Sequence, residues 1–252
     1  MFQKPGDCVA VEFERIGREF DGVFALRGIS GRFDRGRAHV IVGPNGSGKT
    51  TLLRIIATLL NPTSGSVTYE FSSRTPAAPI VGSEADSEPL PTIKVVEREV
   101  VRSAGVVGYC GLDSNMYSDL TGRENLRLYA GIYGLGDADI EKTVVRLAQH
   151  SSSGEGGSRG AWRWLDRSVK SISRGQRQQL ALARSLLHSP TLLLLDEPSA
   201  CLDNNAVNTL VRVLHQEASL GHVLIVATHD AQTFDRIPNR LWRMERGRWV
   251  GR

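Results

Sequence analysis

The chain has 252 residues, 40% of them hydrophobic, and a formal net charge of +4 from 31 basic and 27 acidic side chains. That length and apolar content suit one large α/β domain or two modest ones, and so mild and dispersed a charge gives no reason to expect a nucleic-acid partner. No run approaches the ~18 apolar residues of a membrane-spanning helix. Residues 1–11 lack the apolar stretch of a secretory signal. Cys8, Cys110 and Cys201 are too scattered for a disulfide framework or a zinc site, so a cytoplasmic protein with reduced thiols is expected.

Residues 9–13 and 25–33 carry short alternating or β-branched runs broken by glycines, the pattern of antiparallel strands. Phe20, between them, is either a core ring or a flat apolar surface on which an adenine can stack. An apolar run, 39–42, then leads into residues 43–50, Gly-Pro-Asn-Gly-Ser-Gly-Lys-Thr, which fit G-x-x-x-x-G-K-[ST]. Gly43, Gly46 and Gly48 let successive N–H groups converge on a polyphosphate, Lys49 adds a cation, and the hydroxyl of Thr50 is placed to ligate Mg²⁺. Helical spacing over 51–60 points the positive end of a dipole into the same nest, and Asn61 and Pro62 end that helix.

A strand is expected at 67–71, a flexible surface excursion at 72–91, strand or helix at 93–101 and a short buried strand at 106–109. Thr121 and Glu124 have capping-box spacing and open a helix over 120–134; a second amphipathic segment spans 139–149, and 151–160 is a Gly/Ser-rich loop. Another helix covers 175–188. The leucines at 192–195 read as a central parallel strand that delivers Asp196 and Glu197 at its C-terminal end, where open α/β sheets place their chemistry. Asp196 suits a hard dication, Glu197 is a candidate base for an attacking water, and His229 follows the next buried strand, 222–227, at a position from which it can reach a terminal phosphate. Residues 240–250 read as a small strand pair about Gly247.

Taken together these stretches resemble the ATP-binding cassette (ABC) ATPases: residues 43–50 match the phosphate loop, 173–176 (Ser-Arg-Gly-Gln) the signature motif, 192–198 the acidic strand, 199–203 the D-loop, and 228–230 the switch histidine. The resemblance implies an α/β fold, a P-loop NTPase (RecA-like) core with an antiparallel β subdomain and an inserted α-helical subdomain. The corresponding division of a single ATP-binding domain over 1–252 is 1–35 mainly antiparallel β, 36–112 and 173–252 nucleotide-binding core, and 113–172 helical. It implies ATP held by Phe20, Gly43, Asn45, Gly46, Ser47, Gly48, Lys49, Thr50 and Thr51. Ser173, Gly175 and Gln176 would act on the nucleotide of an opposite subunit, Asp203 would also bind nucleotide, Thr50 and Asp196 would hold Mg²⁺, and Glu197 and His229 would be catalytic. It further implies a homodimer or heterodimer of cassettes that drives a separate transmembrane permease subunit, peripheral on the cytoplasmic face of the inner membrane. Arg174 replaces a common signature glycine, and Leu112 stands where the family has a glutamine that contacts Mg²⁺ and signals to the membrane partner. The stretch 109–112, with 120–121 and 124–126, looks most like the haem-exporter ATPases of cytochrome c maturation, and ABC-2 type exporters of drugs, lipids or polysaccharides, which share 119–121 and 124–126, are nearly as close. A soluble cassette ATPase of the iron–sulfur assembly type is the alternative.

Overall fold

The computed structural model describes residues 6–72, 93–96, 98, 101, 105–111, 116–150 and 162–251. The expected excursion beyond Ser72, the loop 151–160 and Leu112 lie outside the described residues. β1 (Asp7–Phe20) and β2 (Val23–Asp34) form a hairpin whose two connecting residues, Asp21 and Gly22, both have positive φ (48° and 82°), the geometry that lets a two-residue loop follow the twist of its strands. β3 (Ala38–Val42) and α1 (Lys49–Ile56) follow, and then β4 (Ser64–Ser72) and β5 (Ile93–Val96) return to the hairpin in the order β2-β1-β4-β5. The antiparallel sheet thus draws on strands far beyond residue 35, because β1 pairs along β2 on one edge and along β4 on the other.

The second sheet is built from β3, β6 (Val107–Cys110), β7 (Leu192–Asp196), β8 (Val223–Thr228), β9 (Asn239–Glu245) and β10 (Arg248–Trp249) in the order β10-β9-β3-β8-β7-β6. Its strands run parallel except for β10. The pair about Gly247 forms as expected, but β9 is also a full member of the parallel sheet, docked along β3. Alternate strand residues point to opposite faces. Leu192 and Leu194 pack with Leu52, Leu53, Ile55 and Ile56 of α1 and with the antiparallel sheet. Leu193 and Leu195 pack on the other face with α2 (Gly122–Ile132), α3 (Asp137–Gln149), α4 (Arg174–Leu186) and α5 (Asn204–Ser219). The helix after the phosphate loop and the helix after the signature motif therefore lie on opposite sides of one sheet.

α1 stops at Ile56, earlier than its apolar spacing predicts. Thr58 takes φ 61°, its N–H donates to the carbonyl of Ile55, and the N–H of Leu59 donates to that of Arg54, the paired bonds of a Schellman ending. A threonine in the left-handed region gives no composition cue of this kind, and it leaves Leu59 turned to solvent at 62% exposure. α2 opens as expected: Thr121 Oγ1 accepts from the Glu124 N–H and the Glu124 carboxylate accepts from the Thr121 N–H, a reciprocal cap whose loss costs about 1 kcal/mol. The end of α3 is tied to α5 through Glu217, only 2% exposed, whose carboxylate oxygens lie 3.1 Å from Arg146 and 2.8 Å from His222 Nδ1.

Between the sheets, the fully buried His39 ring accepts a hydrogen bond from Trp242 Nε1 at Nδ1 and lies against Phe33, with Nε2 2.9 Å from the Asp34 carbonyl. Burial lowers its pKa from 6.5 to about 4. The unfolded chain therefore takes up a proton that the folded chain refuses, so the stability associated with His39 is complete above pH 6.5 and is lost as the pH falls toward 4. The loss is about 3 kcal/mol. Urea unfolding of wild type and His39→Gln at pH 7 and pH 4.5 should show the gap between them narrowing at the lower pH; a gap independent of pH would refute this.

Candidate functional site

β3 ends at Val42, and the chain turns through 43–48 before α1 begins at Lys49. Gly48 caps the helix at φ 108°, and a Cβ there would sit 2.6 Å from the Ala25 carbonyl oxygen; a Cβ at Gly43 would sit 2.0 Å from that of Met244. Backbone on both sides of the loop thus demands glycine. The turn after β9 completes the support, since the Gly247 N–H donates to Ser47 O and Gly247 O accepts from the Arg27 N–H, both at 2.9 Å. None of these props was foreseen, and Gly247 was the only hint of them.

Lys49, 6% exposed, bends over the loop: Nζ donates to Gly43 O (2.8 Å) and Pro44 O (3.2 Å) and lies 3.9 Å from Glu197 Oε1. Because β8 lies between β3 and β7, the ends of β7 and β8 bring Asp196, Glu197 and His229 beside that lysine. Glu197 Oε2 accepts from His229 Nδ1 (2.8 Å), from the His229 N–H (3.3 Å) and from Thr228 Oγ1 (3.3 Å). Thr228, a contact that the sequence did not suggest, is fully buried. Glu197 itself is held at φ 49°, an uncommon conformation for a non-glycine residue and one that clusters at working sites.

Burial lifts the Asp196 carboxyl above the usual carboxylate range and Glu197 adds to the lift, while a hydrogen bond from the Thr50 hydroxyl and the charges of Lys49 and Arg54 oppose it. Asp196 Oδ1 and Ser47 Oγ are buried with no hydrogen-bond partner among the described residues. An unsatisfied Asp196 oxygen, on a carboxyl hydrogen-bonded to the Thr50 hydroxyl, fits a hard dication that arrives with phosphates and needs few protein ligands. No cluster of three or more His, Cys, Asp or Glu suited to a metal occurs among the described residues.

Of the other expected site residues, Asn45, Gly46 and Thr51 stay with the phosphate loop and its helix, and the rest lie on other elements. Thr51 is half-buried on α1, Asn45 and Gly46 are exposed on the loop, and Phe20 closes β1 on the hairpin whose second strand covers Gly48. Ser173 is the N-cap of α4, its Oγ accepting from the Gln176 N–H while Gln176 Oε1 accepts from the Ser173 N–H. A Cβ at Gly175 would lie 3.1 Å from Cys201 O, so the signature start rests on the D-loop segment. Asp203 caps α5 through the Ala206 N–H (2.8 Å).

A family model described as ABC transporter matches residues 26–200. The chain belongs to the ABC transporter ATPases. The cassette is 30% identical over 207 residues to the ABC transporter ATP-binding protein NatA of Bacillus subtilis, covering 82% of this chain and 72% of that one. It is 28% identical to the Nod factor export ATP-binding protein I of Burkholderia thailandensis (95% and 69% covered) and 32% identical to the sulfate/thiosulfate import ATP-binding protein CysA of Rhodopseudomonas palustris (95% and 62%). A dimeric ATP-binding cassette solved in a post-hydrolysis state with ADP and Pi shares its fold at TM-score 0.72 and 22% identity, over 96% of this chain and 97% of that one. The α/β P-loop fold and the ATPase class thus agree with the sequence reading. No helix of the described residues is long and apolar enough to cross a membrane.

Proposed function

We propose that this ABC transporter ATPase energises export through a separate transmembrane subunit, with two cassettes sandwiching two MgATP. The observation that carries the reading is the convergence of Lys49, Asp196, Glu197 and His229 at one sheet edge while Ser173–Gln176 start a helix on the opposite face. A single cassette cannot turn that helix start onto its own phosphate loop. A second copy, identical or related, can present Ser173 and the N–H groups of Gly175 and Gln176 to the terminal phosphate.

In this scheme the loop N–H groups and Lys49 would cradle the phosphates, Phe20 would stack on the adenine, and Thr50 and Asp196 would hold Mg²⁺, which would supply charge neutralisation to the triphosphate. Glu197 takes a proton from the attacking water, and His229, fixed by Glu197 Oε2, contacts the γ-phosphate. A groove lined by Arg54, Tyr109, Tyr129, Tyr133 and Arg184, with Leu59 exposed beside it, is the surface we assign to the membrane subunit. The relative named for Nod factor export, similar over 95% of the chain, agrees with export, and the one named for sulfate/thiosulfate import, also similar over 95%, does not. The narrower haem-export reading rests on residues 109–112 with 120–121 and 124–126.

Tagged protein drawn from solubilised membranes of its own host should carry a polytopic membrane protein with it. A chain recovered only from the soluble fraction, with no membrane partner, would favour the iron–sulfur assembly type and overturn the exporter.

A further inference from the structure

We infer that Arg18 is a positioning residue for the nucleobase, bracing Phe20 so that one face of its ring is presented for stacking. The inference rests on the reading of Phe20 as the base-stacking side chain.

Phe20 is the last residue of β1, immediately before the two-residue turn, and at 43% exposure the core does not hold its ring. Arg18 does: its guanidinium carbon lies 4.4 Å from the ring centroid, within cation–π range. The guanidinium is anchored in turn. It donates from Nη1 to the Asn61 carbonyl at 3.2 Å, in the turn after α1. That turn is fastened to β1 on either side of Arg18, because the Thr63 N–H donates to Gly17 O (2.8 Å) and Thr63 Oγ1 accepts from the Glu19 N–H (3.2 Å). A chain of short contacts therefore runs from the end of the phosphate-loop helix through Asn61 and Arg18 to the Phe20 ring.

The arrangement has a chemical consequence. A planar ring has two faces, and the guanidinium takes one of them, leaving the other for a second flat π system. An unbraced Phe at a hairpin end would lose rotamer freedom each time a base stacked on it; the braced ring has lost that freedom beforehand, so binding is tighter. The effect belongs to the base and not to the phosphates, which meet the loop 43–50 without touching this brace.

The test compares wild type, Arg18→Ala, Arg18→Lys, Phe20→Ala and the double Arg18→Ala/Phe20→Ala variant in steady-state ATP hydrolysis, with tripolyphosphate as a competitive probe of the phosphate loop alone. Arg18→Ala should raise KM for ATP about two- to fivefold with kcat unchanged, Arg18→Lys should recover most of the loss, and the double variant should be no worse than Phe20→Ala. Tripolyphosphate inhibition should stay constant throughout. A wild-type KM in Arg18→Ala beside a raised KM in Phe20→Ala would overturn the role of Arg18 alone. Phe20→Ala without effect would overturn the stacking reading and the inference with it. A fall in kcat or in tripolyphosphate binding, unrescued by lysine, would mark Arg18 as merely structural and overturn the inference too.

Discussion

Glu197→Gln should lower ATP turnover by about 10²–10⁴-fold while leaving MgATP bound. The substitution keeps the shape of the side chain, and its oxygen can still accept from His229 and Thr228 as Glu197 Oε2 does. What it removes is the ability to take a proton from water and a negative charge close to where a triphosphate would lie, so binding should not suffer. Nucleotide that binds without being consumed should hold the two cassettes together. Light scattering of Glu197→Gln with MgATP should then report twice the monomer mass, while wild type reverts as it hydrolyses. Turnover equal to wild type would remove Glu197 as the base, and a monomer at every concentration would remove the sandwich.

Gly48→Ala should weaken nucleotide binding at least tenfold and destabilise the fold. At φ 108° the backbone strain alone is of order 1–3 kcal/mol. The new methyl would also stand 2.6 Å from the Ala25 carbonyl and 2.8 Å from Leu26 Cδ2, so β2 and the start of α1 cannot both keep their places. Gly46→Ala is the matched comparison. Gly46 has φ 76° but nothing within 4 Å of its Cβ position, so its alanine carries strain without collision. Urea unfolding and ATP titration of the two variants should separate them, with Gly48→Ala lower in stability and at least tenfold weaker for ATP. Equal behaviour would mean that the Ala25 contact does not shape the loop.

The features legible in the sequence were those in which one short stretch determines its own conformation. The glycine-rich loop, the leucine run ahead of Asp196 and the Thr121–Glu124 cap each combine residue types and spacing that have few other uses. Long-range backbone pairing was not legible. Nothing in residues 64–72 says that they lie against β1, and nothing in residues 239–245 says that they run parallel to β3, because any extended segment can offer those bonds. The props behind the phosphate loop were hidden for the same reason: the Ala25 and Met244 carbonyls act through main-chain atoms that every residue has. The Ser173–Gln176 pair shows a further limit. Its spacing is that of a capping box, and the structure uses both side chains as a cap at the helix start that the family resemblance assigns to a phosphate.

The seating of the phosphate loop on Met244 and Gly247 also bears on how the protein is made. Residues 43–50 are made some 200 residues before the turn that supplies one wall of their cradle. At about 5–20 residues per second of synthesis, the loop exists for on the order of 10 s or more before its support has been translated. During that interval the strands of the first hairpin and α1 can already associate, whereas the nucleotide nest cannot take its final form. The loop thus gains the Met244 and Gly247 side of its cradle only late in the making of the cassette.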